Sequence, residues 1–381
     1  MESDNKLFLL DAYALIYRAY YAFIKNPRIN SKGFNTSAIL GFVNTLEEVL
    51  KKENPSHIGV AFDPSGPTFR HEAFEQYKAQ REETPEAIRL SVPIIKDIIH
   101  AYRIPILEVA GYEADDVIGT LATEAGRQGI TTYMMTPDKD YGQLVTDNVF
   151  MYRPKHTGGF EVMGIEEVKA KFDIQSPAQV IDMLGLMGDA SDNIPGCPGV
   201  GEKTAQKLIA EFGSIENLLE HTDQLKGALK TKVETNKELI TFSKFLATIK
   251  IDVPIQLEMD KLVREQADED SLRQIFEELE FRTLIDRVLK KENSAGGVTM
   301  ATGSKTATAK SAPSPLPLFP EEGGAIQGDL FANFTGNEAG EAKKSNLETL
   351  ETLNCDYQLI DTEKKRAEII QKLLTSKIIS L

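Results

Sequence analysis

Two hydrophobic periods alternate along roughly the first 290 residues. Short apolar runs that end in an acid, KLFLLD (Lys6–Asp11) and HIGVAFD (His57–Asp63), read as buried strands. Ile130–Thr136 is a third strand, and Arg103–Leu107 is a shorter candidate. Between them, apolar residues recur at helical spacing over Ala12–Phe23, Ser37–Lys51, Phe69–Arg81, Pro85–His100 and Ala114–Gln128. Pro85 suits the opening of its helix, and Gly129 suits the end of the last one. Strands alternating with helices predict an α/β domain built on a mostly parallel sheet. From about Gly164 the pattern turns helical with short connections, and Gly185–Lys203 is rich in loop residues. Helices resume at Glu202–Phe212 and continue with breaks to about Lys290. We divide this part into a sheet domain, 1–180, and a helical part, 181–292.

From Asn293 to about Lys343 the chain is small, polar and rich in Pro and Gly, the composition of a flexible tether. The more apolar GDLFANF within it is a candidate for transient docking. Structure is expected again from Leu347, where YQLIDTEKKRAEIIQKLLTSKIISL reads as strand, turn, helix, strand. One strand and one helix cannot bury a core, so 346–381 reads as the beginning of a domain cut short, after a linker at 293–345.

At 381 residues, 27% charged and 41% hydrophobic, the composition excludes collagen-like, wholly disordered and disulfide-scaffold chains. The two cysteines, Cys197 and Cys355, are too few for a zinc site and point to a reducing compartment. No apolar run reaches the ~18 residues a membrane span needs. The start, MESDNKLFLLDAY, lacks the features of a signal peptide, so cytoplasm is the expectation. The net charge of -15 argues against a nucleic-acid partner unless the excess acid is gathered in one place. The stretch from Asn293 onward is nearly balanced, so that excess lies before it.

The acids recur where strands and helices meet loops. Asp11 and Asp63 end strands. Glu113, Asp115 and Asp116 sit in GYEADDVIG at a helix start, and Asp138 and Asp140 follow a strand in TPDKDYGQL. Asp189 and Asp192 lie in the loop GLMGDASDN. Any one of them alone reads as a cap or turn residue. Ligands of open parallel sheets bind beyond the carboxyl ends of the strands, which would gather all these segments. Clustered carboxylates repel one another and call for cations. Oxygen-only donors favour Mg²⁺ or Mn²⁺. The number of acids suggests two ions, a pairing suited to phosphodiester hydrolysis.

GCPGVGEKTAQKLI (Gly196–Ile209) nearly matches a phosphate-binding loop, but Glu202 stands where the lysine should follow Gly201. What remains is a Gly199–Val200–Gly201 turn opening a helix, with Lys203 and Thr204 in its first turn. Exposed N–H groups there bind a phosphate readily, and the carbonyls of such a turn can hold a monovalent cation. A tight turn between helices with no ligand is the plainer alternative. In FRHEAFEQYKAQR, Arg70, Lys78 and Arg81 could meet phosphates and Tyr77 could stack on a base. Taken alone, those residues read more simply as a solvated amphipathic helix with Phe74 in the core.

Together LLDAYALIYRAYYA, AFDPSGPTFRHEAFEQYKAQR, GYEADDVIGTLA, TPDKDYGQLV and GLMGDASDNIPGCPGVGEKTA resemble, in order, the bacterial 5′ nuclease family. These are the 5′-3′ exonuclease domains of bacterial DNA polymerases I, related to flap endonucleases. The resemblance spans about Lys6–Lys290, and the ending resembles the start of a 3′-5′ exonuclease-like domain. It implies a PIN-like sheet domain followed by a helix-hairpin-helix subdomain. It assigns Asp11, Asp63, Glu113, Asp115 and Asp116 to a first metal and Asp138, Asp140, Asp189 and Asp192 to a second. Arg70 is carried here as a DNA contact; the family's pattern adds Tyr77, Lys78 and Arg81, a gateway at the scissile phosphate where Lys78 and Arg81 have catalytic roles. The resemblance implies that Gly199, Gly201, Lys203 and Thr204 form the duplex-holding hairpin, with a K⁺ ion. The implied substrate is DNA with a 5′ flap, nick or RNA primer, cut by a monomer that continues into proofreading-like and polymerase domains. A PIN-like ribonuclease would share the acids but would not need the hairpin. A non-catalytic DNA-binding module would not need all nine acids.

Overall fold

The computed structural model describes residues 5–155 and 158–289. All of them belong to one compact unit. The tether at 293–345, GDLFANF and the segment 346–381 lie outside the described residues, as does Cys355.

Six strands form one sheet: β1 (Lys6–Asp11), β2 (His57–Ala61), β3 (Ile106–Leu107), β4 (Thr131–Met135), β5 (Val149–Pro154) and β6 (Phe160–Met163). Their order is β3-β2-β1-β4-β5-β6. The first five strands in this order are parallel, and β6 pairs antiparallel with β5. β1 is central, with Leu9 beside Gly59 on one side and Met134 on the other. Its continuous apolar run follows from burial on both faces. Leu7 and Leu9 enter one core, Phe8 and Leu10 the other.

The helices are α1 (Ala12–Ala22), α2 (Ser37–Lys52), α3 (Phe69–Ala73), α4 (Glu86–Ala101), α5 (Ala114–Arg127), α6 (Ile165–Phe172), α7 (Gln179–Met187), α8 (Glu202–Phe212), α9 (Ile215–Glu220), α10 (Gly227–Thr235), α11 (Lys237–Ala247), α12 (Met259–Leu262), α13 (Glu269–Glu278) and α14 (Arg282–Leu289). Leu15, Phe42 and Ile95 of α1, α2 and α4 cover the Phe8 face, together with Leu272 and Phe276 of α13. On the Leu9 face, Val117 and Leu121 of α5 share a core with Leu184, Leu208 and Leu246 of α7, α8 and α11. The helical part therefore extends the sheet's second core. The expected division after residue 180 falls inside α7.

Two local expectations are corrected. Phe69–Arg81 is not one helix: α3 ends at Ala73, and Phe74 is extended (φ -147°, ψ 97°). Turns follow, and Lys78 takes a left-handed φ of 56°. Tyr77 and Arg81 therefore do not share a helical face. The second miss is the β5–β6 hairpin, which the sequence reading passed over. Its β6 half, FEVM, shows only one buried position, so it lacks the apolar run that marks the inner strands.

Candidate metal centre and duplex hairpin

β1, β2 and β4 run parallel, so their carboxyl ends open on the same edge of the sheet. Asp11 ends β1 and caps α1, accepting from the Ala14 N–H (3.1 Å). Its other oxygen accepts from the hydroxyls of Thr136 (3.2 Å) and Tyr141 (3.1 Å) just past β4. Burial, then the nearby Asp63, push Asp11 up to about 7. Asp63, two residues past β2, accepts from the Ala114 N–H at 2.7 Å and so ties β2 to the start of α5. Burial raises it as well.

The start of α5 carries Glu113, Asp115 and Asp116, each offering an oxygen within 4.8 Å of the others. Glu113 and Asp116 close a capping box. Arg70, only 1% exposed, sits against this trio. Its Nη1 donates to Glu113 Oε2 and Asp116 Oδ2, both at 2.8 Å, and its Nη2 donates to Asp116 Oδ1 at 2.8 Å. Nε and Nη2 also reach the carbonyls of Leu246 (2.9 Å) and Thr248 (2.8 Å) at the end of α11. The expectation that Arg70 meets DNA phosphate is corrected: its donors are spent inside the protein. Asp115 is pushed well above the usual carboxylate range by burial and then by Asp116.

Tyr77 requires a similar correction. It is 3% exposed, and its hydroxyl donates toward Glu113 Oε2 and Asp192 Oδ2, each at 3.0 Å. A ring so enclosed has no face for a base; it joins two acid-bearing segments instead. Lys78 Nζ lies 2.5 Å from Glu113 Oε1 and 3.6 Å from Asp192 Oδ2. Arg81 pairs with Asp192 and also donates to the Ser191 carbonyl (3.2 Å). Burial works to raise Asp192, but Lys78 and Arg81 outweigh it and hold the group at about 2. The left-handed Lys78 backbone is a strained position of the kind found at functional sites. Its N–H is fastened to the Asp192 carbonyl at 3.0 Å.

Asp138 opens a 3₁₀ turn over Lys139–Leu144 and accepts from the Asp140 N–H (3.0 Å). Asp140 Oδ1 is buried without a hydrogen-bond partner. Burial, then Asp138 and Asp189, push Asp140 well above its usual range. Asp189 accepts from the Ser191 N–H (2.8 Å) and pairs with Lys139 Nζ (3.1 Å). Thr136, Lys139 and Tyr141 are thus site residues that sequence reading passed over; their one signal was position, beside the acids of TPDKDY. The Asp189–Asp192 loop is pinched shut at its base. A Cβ on Gly196 (φ 60°) would lie 2.3 Å from the Gly188 nitrogen, so only glycine fits.

Farther along, Gly201 opens α8, with Lys203 exposed and Thr204 half-buried in its first turn. Gly199 turns with φ 77°, and its carbonyl accepts from Lys232 Nζ at 3.2 Å. Lys207 and Lys226 are exposed, so cationic side chains lie along this part of the chain. Cys197, beside the turn, is buried and unpaired.

An all-oxygen donor set, raised carboxylates and a buried oxygen with no donor fit hard divalent cations. The fold and this site define a nuclease class. A family model described as the 5′-3′ exonuclease N-terminal resolvase-like domain matches residues 6–173, and one for the 5′-3′ exonuclease C-terminal SAM fold matches 175–270. The chain belongs to the 5′-3′ exonuclease family. Among relatives, it is 40% identical over 287 residues to the DNA polymerase I of Bacillus caldotenax, covering 74% of this chain and 32% of that one. It is 43% identical to the DNA polymerase I of Bacillus subtilis, covering 76% and 33%. It thus spans about a third of the length of these relatives. The bacteriophage T5 5′-exonuclease with zinc bound shares the fold at a TM-score of 0.54 and 22% identity, covering 72% of this chain and 98% of that one. The T5 flap endonuclease in complex with DNA and metal ions gives 0.53 at 23% identity, covering 72% and 99%. Among the described residues no helix is long and apolar enough to cross a membrane.

Proposed function

We propose that this chain hydrolyses phosphodiester bonds of DNA near a 5′ end, nick or 5′ flap junction, removing flaps and RNA primers with two Mg²⁺ or Mn²⁺ ions. What supports this reading is the linkage of nine carboxylates from five segments of a 5′-3′ exonuclease domain. Glu113, Asp115 and Asp116 cluster. On top of burial, Asp63 and Asp138 raise Asp11, Asp192 acts on Glu113, and Asp138 and Asp189 raise Asp140. Asp11, Asp63, Glu113 and Asp115, with Asp116 beside them, would hold one ion. Asp138, Asp140, Asp189 and Asp192 would hold the other. Bound, the ions would supply activation of water and charge stabilisation at the leaving oxygen. Lys78 and Arg81 provide the cations that meet the scissile phosphate as its negative charge develops. Both already stand at the acids, on Glu113 and Asp192. Tyr77 holds Glu113 and Asp192 in place rather than touching a base.

The hairpin of Gly199, Gly201, Lys203 and Thr204 is the duplex grip, contacting backbone without reading sequence. The Gly199 carbonyl already accepts a cationic donor, which suits the K⁺ ion carried over from the family resemblance. We read the protein as a monomer acting in the cytoplasm at the nucleoid, with proofreading-like and polymerase domains following, as the length of its relatives supports. We keep 1–180 and 181–292 as the working limits of the two nuclease parts. The test is cleavage of a 5′-flap duplex by the Asp115→Ala, Asp140→Ala variant at saturating Mg²⁺. Loss by a factor of at least ~10³ is expected. Cleavage at the wild-type rate would refute the assignment.

A further inference from the structure

Asp115 and Asp116 are adjacent and chemically identical, and nothing in the sequence distinguishes them. Their surroundings do. Asp116 is fully buried, and each of its oxygens takes two donors. Oδ1 accepts from Arg70 Nη2 and the Lys250 N–H, both at 2.8 Å, and Oδ2 from Arg70 Nη1 (2.8 Å) and the Glu113 N–H (3.1 Å). A carboxylate has about four acceptor positions, so none is left for a cation. Arg70 is equally saturated: its five donors meet Asp116 twice, Glu113 once, and the carbonyls of Leu246 and Thr248. Asp115, by contrast, is partly exposed; its Oδ1 accepts from the Asp116 N–H (2.7 Å) and lies 3.9 Å from Arg70 Nη1, beyond hydrogen-bond reach.

We infer that Asp116 and Arg70 are a positioning pair for the metal centre and that Asp116 is not itself a metal ligand. The pair fixes Glu113 from two directions, through its side chain and its backbone nitrogen. It also fastens the acid-bearing start of α5 to the end of α11, so the metal centre and the helical part share one rigid joint. This inference rests on the proposed metal-centre reading.

The test is titration of the whole chain with Mn²⁺, followed by electron paramagnetic resonance. Asp116→Leu and Arg70→Met should each weaken Mn²⁺ by ~10-fold or more, as loss of an outer partner does. Their combination should bind Mn²⁺ more tightly than either alone, because neither charge is then left buried without its partner. Asp115→Asn should weaken Mn²⁺ and should not recover when Arg70→Met is added. A combined variant no better than Asp116→Leu would overturn the inference, since a lost ligand cannot be restored by removing Arg70. Unchanged Mn²⁺ binding in Asp115→Asn would instead overturn the metal-centre reading. A second measurement needs no variant: in saturating Mg²⁺ the Arg70 guanidinium protons should stay slowly exchanging by nuclear magnetic resonance. Loss of that protection would show Asp116 turning from Arg70 to the metal, and would overturn the inference.

Discussion

Replacing Asp11 by Asn should stabilise the metal-free protein while abolishing its cleavage. Asp11 stands at about 7 against an ordinary carboxylate at 3.8. At 1.36 kcal/mol per pH unit the gap corresponds to at most ~4 kcal/mol of destabilisation at alkaline pH. Relaxation around the charge is taken to halve this to ~2 kcal/mol. Because the folded-state value lies above the unfolded one, the penalty is absent below pH ~4, grows with pH, and is complete above ~7. An asparagine keeps the acceptor for the Ala14 N–H, and its amide can donate to the Thr136 and Tyr141 oxygens. Melting in EDTA at pH 8 should therefore rise by roughly 5 °C for a domain of this size, and at pH 5 by about a third of that. Excess Mg²⁺ should shrink or reverse the difference, since the wild-type carboxylate is then compensated. An unchanged or lower melting temperature at pH 8, or the same rise at both pH values, would refute the claim that burying the Asp11 charge, with Asp63 beside it, costs stability at this site.

Three further outcomes follow from the same geometry. Gly196→Ala should destabilise by ~2 kcal/mol or more, because its Cβ meets the Gly188 backbone at 2.3 Å; a melt near wild type would show that the pinch is not required. Lys78→Met with Arg81→Met should lower the cleavage rate by ~10²-fold or more. The same variant should let Asp192 rise from about 2, so stability above pH 4 falls; a flat pH difference between the two proteins would contradict this. Lys203→Ala should weaken duplex binding and reduce the slope of log affinity against log salt by ~1, measured by fluorescence anisotropy. An unaltered slope would remove Lys203 from the phosphate contacts.

Most of the architecture was legible because burial on both faces leaves a plain trace. KLFLLD and HIGVAFD read as inner strands, and their terminal acids marked the edge where the site lies. The β6 half of the β5–β6 hairpin was not legible, because an edge strand such as FEVM mixes polar and apolar residues. The acids were legible as a set but not in their separate duties. Asp115 and Asp116 differ through burial and through the donors that meet only Asp116, the Lys250 and Glu113 N–H groups and the close guanidinium of α3, the last more than forty positions away. Arg70 and Tyr77 misled for the same reason. A basic or phenolic side chain on an amphipathic stretch looks exposed until the acids it satisfies are brought beside it. The break after Ala73 was hidden because the left-handed Lys78 that follows it is held by a tertiary partner, its N–H donating to the Asp192 carbonyl.

We propose that the gathered carboxylates make this chain a metal-dependent 5′ nuclease. Cleavage of a 5′-labelled flap on duplex DNA, run with Mg²⁺ and again with EDTA, tests it most directly. Products cut near the flap junction are expected with Mg²⁺, and intact substrate with EDTA. Flap DNA that is bound but left uncut in Mg²⁺ and in Mn²⁺ would contradict it.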